Sequence, residues 1–105
     1  MNASAKEVIE KCSQESHAGL ITFPEVLGRL IAVGVESYFA DYRQQSTTYY
    51  LSNNEAHSIW LDTPSVEIPG LFNKDGVLSA IREAQSDRVR YPEFLKLTMS
   101  AGCVG

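Results

Sequence analysis

The sequence predicts an α+β fold in which two helix pairs pack on a small antiparallel three-stranded sheet. Two observations lead to this prediction. A helical motif occurs twice, about 68 residues apart. Between the copies lies a central stretch rich in β-branched and aromatic residues. At 105 residues the chain has the size of a single domain with one core, so we predict one domain over residues 1–105.

The first helix is predicted over residues 4–17, because its apolar residues recur at helical spacing. Ser4 and Glu7 have the spacing of a capping box, which predicts the N-terminus of the helix.

The repeated motif predicts the second and fourth helices. Each copy begins with an aromatic residue followed by Pro-Glu and ends at a glycine, over residues 23–34 and 91–102. Thr22 and Glu25 predict a capping box before the first copy. Arg90 takes the place of the threonine before the second copy, so that N-terminus is predicted to be weaker. The glycines predict left-handed helix stops.

Helical spacing also predicts which side chains of these helices are buried. In the second helix the expected buried stripe consists of Val26, Leu27, Leu30 and Ile31. The fourth helix is predicted over residues 92–101.

The sheet is predicted from three short segments, residues 35–43, 47–51 and 56–61. Their short polar connections predict an antiparallel meander. One face of the first strand carries Tyr38 and Tyr42. We expect the helices on one side of the sheet and a partly exposed, tyrosine-bearing surface on the other.

Residues 63–73 contain prolines and a glycine and predict an irregular crossover between a first copy, residues 1–62, and a second copy, residues 74–105. Asn73 is the expected N-cap of the third helix. The order helix, helix, strand of the first copy has no strand to complete it in the second. The second copy is therefore predicted to be incomplete, with an open sheet edge where another chain pairs.

Composition narrows the classes of partner. The net charge of −4 disfavours a nucleic-acid surface, although Arg82, Arg88, Arg90 and Lys96 form a mild basic cluster. No apolar run is long enough to cross a bilayer, so no membrane partner is expected. The two cysteines have no metal-site spacing, and they suit a reducing compartment. We therefore predict a cytoplasmic protein without a metal or cofactor.

The chain also resembles a known family. The segments Thr22-Phe23-Pro24-Glu25-Val26, Tyr91-Pro92-Glu93-Phe94 and Met99-Ser100-Ala101-Gly102-Cys103 are similar to those of an uncharacterised family of small bacterial and prophage proteins, sometimes labelled phage envelope proteins. Members of that family continue past the equivalent of Gly105, so the resemblance implies a C-terminally shortened member. It implies no catalytic residues.

Two functional interpretations follow from the residues. The first is a noncatalytic, self-associating binding or interaction module, whose partner is a second copy or another protein chain. Its hypothetical binding residues are the aromatic and polar side chains of the sheet, namely Tyr38, Tyr42, Tyr49, Tyr50, Asp41 and His57. For the tyrosines, a place in the core remains an alternative.

The second interpretation is a small enzyme with an acid/base site around Asp41, Glu55 and His57. It requires these side chains to meet in one cleft. A cysteine nucleophile is disfavoured, because Cys12 and His17 fall on different faces of the first helix.

Overall fold

A computed structural model describes residues 2–105, and these form four helices and three strands. The α+β class is confirmed. In chain order the elements are α1 (Ala3–His17), α2 (Phe23–Ala32), β1 (Val35–Asp41), β2 (Ser46–Leu51), β3 (Ala56–Trp60), α3 (Lys74–Gln85) and α4 (Tyr91–Ser100).

The helix N-termini follow their capping residues, with one correction. Thr22 and Glu25 form the predicted capping box. The Thr22 amide donates a hydrogen bond to the Glu25 carboxylate, and this bond lowers the pKa of that carboxyl. Asn73 caps α3, and Arg90 provides no side-chain cap for α4. The predicted box at Ser4 is wrong. Asn2 lies in extended backbone and its Oδ1 accepts a hydrogen bond from the Ala5 amide at 2.7 Å, so the helix begins earlier and Ser4 lies inside it.

The sheet is the predicted antiparallel meander, with strand order β1-β2-β3. In its register Tyr38 pairs with Tyr49, and Tyr49 pairs with His57. Because side chains alternate between faces, these three residues share one face. The opposite face carries Phe39 and Trp60, and we call it the open face.

The helices form one layer against a single face of the sheet. Helix α1 contacts α2 and α4, while α3 contacts α4 and α2. Two apolar clusters lie between the layers. The first cluster comprises Ile9, Cys12, Ile21, Leu30 and Tyr49. The second comprises Tyr42, Leu61, Leu95 and Met99.

The buried stripe predicted for α2 is partly wrong. Leu30 is buried, whereas Ile31 is 70% exposed and Leu27 lies at the margin. Helix α2 is short and apolar on more than one side, and the neighbouring layer covers only part of its circumference.

The stretch between β3 and α3 has no helix or strand, as predicted. It is joined to the end of α4 because the Asn73 amide donates to the Ala101 carbonyl oxygen at 2.7 Å. Within residues 2–105, no helix has both the length and the apolar character that a bilayer span requires.

Candidate ligand-binding site

A cavity of about 120 Å³ lies between the helices and the tyrosine face of the sheet. Most of its wall is apolar, and all four helices and their connections contribute to it. The apolar part of the wall includes Ile21, Val26, Leu30, Ile81, Val89 and Phe94. An apolar enclosure with a few polar groups is the usual form of a small-molecule site.

Two tyrosines of the sheet form its floor. Tyr38 of β1 and Tyr49 of β2 are register partners, and their ring centroids lie 5.6 Å apart. Burial raises the pKa of Tyr49 to about 12, partly offset by a hydrogen bond with Ser13. Burial also raises the pKa of Tyr38. Both phenols therefore keep their protons at neutral pH and can donate hydrogen bonds.

A third tyrosine reaches the cavity from the other end of the chain. Tyr91 is the first residue of α4, and its ring centroid lies 5.2 Å from that of His17, with the two rings nearly perpendicular. Burial raises the pKa of Tyr91, and so do the nearby phenols of Tyr42, Tyr38 and Tyr49. The hydroxyl groups of Tyr38, Tyr49 and Tyr91 thus lie in one neighbourhood as neutral donors.

His17 closes the end of α1 beside the cavity. Its Nδ1 lies 2.7 Å from the Ser13 carbonyl oxygen, which only accepts hydrogen bonds, so Nδ1 is assigned the proton. In the neutral ring Nε2 is then an acceptor, and it is buried without a partner among the described residues. The surrounding side chains enclose Nε2 so closely that even a water-sized group does not reach it. The imidazole is therefore part of the wall, and the other polar residues of the lining include Tyr38, Tyr91 and Gln85.

The remaining reactive groups near the cavity are restrained. Burial raises the pKa of the Cys12 thiol, which disfavours the nucleophilic thiolate. Arg90 donates through Nη1 to the Gly19 carbonyl oxygen at 2.8 Å, and its Nε lies 3.3 Å from Asp87 Oδ1. This arginine joins α4 to the α1–α2 connection, and its charge is already paired.

The structure separates the residues of the predicted binding surface. Tyr38 and Tyr49 line the cavity, and Tyr50 lies on the open face. Tyr42 is buried in the second apolar cluster, where its hydroxyl lies 2.9 Å from Thr98 Oγ1. The expectation of a partly exposed tyrosine surface opposite the helices is wrong in its choice of face for Tyr38, Tyr42 and Tyr49, and Tyr42 and Tyr49 are also buried. Tyr38 keeps 37% of its surface exposed. The helices cover the face that carries these tyrosines and leave Phe39, Tyr50 and Trp60 on the open face.

Asp41 lies apart from the other two residues of the predicted acid/base site. Asp41 lies on the open face and accepts hydrogen bonds from the Arg43 and Gln44 amides in the β1–β2 turn. His57 lies on the opposite face, with Nε2 3.2 Å from Glu10 Oε1. Glu55 lies in the β2–β3 turn, at the far end of β2 from Asp41, a separation of about 16 Å along the strand. The geometry gives no support to a common cleft.

Other predicted surfaces are also distributed. In the basic cluster, Arg88 lies 3.8 Å from Glu83 and Arg90 is held as described above. Over residues 2–105 no group of three or more His, Cys, Asp or Glu side chains has the arrangement of a metal site.

Sequence reasoning missed Tyr91 and Phe23 as cavity residues, although a signal was present. Each is the aromatic residue that opens one copy of the repeated motif, and both line the cavity. Because the two residues hold equivalent positions in the repeated motif, the repeat itself was a signal that both could face one space. The role of His17 has no such signal, because it depends on the packing of α1 against α4.

Comparison of the chain with protein-family models, with curated proteins and with solved structures finds no match.

Proposed function

We propose that this protein is a noncatalytic binding module that holds a small, mainly apolar molecule between its helices and its sheet. One observation carries the proposal: the cavity has an apolar wall into which three tyrosine side chains converge. Pockets of this composition bind ligands through apolar contact and use a few polar groups to orient them.

The chemistry of the wall supports binding rather than catalysis. Among the described residues that line the cavity, none carries a carboxylate that could act as a base or orient one. Burial keeps Cys12 protonated, and the Nδ1 proton of His17 is committed to a backbone carbonyl. The alternative of an acid/base enzyme around Asp41, Glu55 and His57 lacks a shared site.

Filling the cavity should abolish binding. Toluene is a suitable probe, because an apolar cavity of about 150 Å³ is known to take up benzene. Ala84 lines the cavity, so Ala84→Leu places a larger side chain in the ligand space. We expect toluene to bind the unaltered protein and to bind Ala84→Leu at least about tenfold more weakly, because overlapping atoms exclude the ring.

The binding is measured by titration of the ¹⁵N-labelled protein, following amide shifts. Ala56→Leu is the matched control, because it adds the same side chain to an exposed position on the open face. Absence of saturable shifts with the unaltered protein, or equal affinity in Ala84→Leu, would refute the cavity as a binding site.

The open face favours a second proposal, self-association with another copy of the chain. Trp60 is 80% exposed, Phe39 is 55% exposed and Tyr50 is 42% exposed, all on this one face. Exposed aromatic side chains on a sheet face are a frequent basis of protein interfaces. The outer edge of β3 would extend such a contact, whereas at the end of β1 the Tyr42 amide already donates to the Val104 carbonyl oxygen at 3.0 Å.

Trp60→Thr should weaken a dimer by about thirtyfold or more, because large exposed aromatic residues are typical interface hot spots. Sedimentation velocity over a range of concentrations measures the effect. Leu71→Thr is the control, since Leu71 is 85% exposed but lies outside the sheet. A purely monomeric unaltered protein, or equal dissociation constants for both variants, would contradict this proposal.

We also propose that the protein is cytoplasmic and that it comes from a bacterium or a prophage. Cys12 and Cys103 are free thiols, which supports a reducing, cytoplasmic environment. The association with bacteria or prophages rests on the sequence resemblance alone.

A further inference from the structure

The size of the cavity limits the ligand to about one ring. The volume of about 120 Å³ is slightly below that of the apolar cavities that accept benzene. A branched aliphatic group or a single six-membered ring fits such a space. Larger polycyclic compounds would require the helices to move.

The charges around the cavity disfavour a charged ligand. Arg90 is the cation of the wall, and it is already engaged by the Gly19 carbonyl oxygen and by Asp87. The described lining residues include no carboxylate to pair with a ligand cation. Since an unpaired ion in an apolar site is costly, an uncharged ligand is favoured.

The tyrosine hydroxyls differ in their partners. Tyr42 pairs with Thr98, and Tyr49 has a hydrogen bond with Ser13. The hydroxyls of Tyr38 and Tyr91 make no hydrogen bond to another described residue, although both side chains line the cavity. Tyr91 is partly buried and Tyr38 is 37% exposed, so the protein itself does not occupy either hydroxyl. Both hydroxyls are therefore available to donate a hydrogen bond to an occupant of the cavity.

We propose, building on the proposed binding function, that the ligand is an uncharged compound of about one ring that carries an oxygen accepting hydrogen bonds from Tyr38 and Tyr91. The two donors come from β1 and α4, so they approach the cavity from the sheet and from the second helix pair. Such an arrangement fixes the oxygen of the ligand while Ile21, Val26 and Phe94 contact its apolar part.

A matched series of probes tests this proposal. Toluene, benzyl alcohol, benzoate and benzylamine share a ring and one carbon and differ only in having no polar group, a hydroxyl, an anion or a cation. Each is titrated into the unaltered protein and into Tyr38→Phe, Tyr91→Phe and the control Tyr50→Phe. Phenylalanine removes the hydroxyl and keeps the ring, so the cavity retains its shape.

We expect benzyl alcohol to bind at least about tenfold more tightly than benzoate or benzylamine. The affinity ratio of benzyl alcohol to toluene should fall about two- to tenfold in Tyr38→Phe and in Tyr91→Phe, because each variant removes one net hydrogen bond. The ratio should be unchanged in Tyr50→Phe. Unchanged toluene affinity in the cavity variants would show that the site itself is intact.

The outcomes separate the two levels of the proposal. If toluene binds but the ratio is the same in all proteins, the hydroxyl recognition is wrong and the binding function stands. Tightest binding of benzoate or benzylamine would overturn the uncharged class. If none of the four probes binds the unaltered protein, the binding function itself fails.

Discussion

Replacing Tyr42 by alanine is expected to lower the free energy of unfolding by about 3–5 kcal/mol. Tyr42 is 7% exposed and packs with Leu61, Leu95 and Met99 in the second apolar cluster. Truncation leaves a cavity the size of a ring and deprives Thr98 of its hydroxyl partner. A loss of this size is a large fraction of the 5–15 kcal/mol that typically stabilises a domain.

Urea denaturation followed by circular dichroism measures the loss. Tyr42→Phe separates the ring from the hydroxyl and should cost about 1 kcal/mol, the usual net value of one hydrogen bond. Tyr50→Ala removes the same atoms from the open face, where Tyr50 is 42% exposed, and should cost much less. If Tyr42→Ala and Tyr50→Ala cost the same, Tyr42 does not lie in the core.

Tyr38 and Tyr42 show which part of the sheet could be predicted from the sequence and which could not. The alternation in β1 correctly predicts that Tyr38 and Tyr42 are on the same side of the strand and that Phe39 is on the other. Both faces contain aromatic residues, so alternation alone does not indicate which face the helices cover. That choice depends on packing against α1 and α4, which lie far away in the sequence.

Features determined by neighbouring residues could be predicted. The box at Thr22, the cap at Asn73 and the uncapped start of α4 all follow from residues within one helical turn. The cavity could not be predicted in the same way. It forms where the end of α1, at His17, meets the start of α4, at Tyr91, and this contact depends on the tertiary arrangement.

The glycines that end the two copies of the repeated motif show both a local conformation and an effect of tertiary packing. Gly34 follows α2 with φ +87°, and Gly102 follows α4 with φ +92°, so the two copies end in nearly the same left-handed conformation. Their surroundings differ. A Cβ on Gly34 would meet nothing within 4 Å, whereas a Cβ on Gly102 would lie 2.5 Å from the Leu71 carbonyl oxygen and 3.0 Å from Phe72 Cα.

Gly102→Ala should therefore be much more destabilising than Gly34→Ala. The positive φ alone should cost about 1–2 kcal/mol in either variant, because Cβ crowds the backbone in this conformation. At Gly102 the crossover backbone must also move away from the new methyl group, for a total of about 2–5 kcal/mol. Thermal and urea unfolding of both variants measure the difference.

The comparison isolates the tertiary part of the effect, since the local conformation is shared by the two sites. The excess of about 1–3 kcal/mol for Gly102→Ala is the cost of displacing Leu71 and Phe72 from the end of α4. Equal losses in the two variants would mean that the crossover does not pack on Gly102. A larger loss at Gly102 would mean that the second copy of the motif has a role the first copy lacks, because its terminal glycine also holds the crossover against the second helix pair.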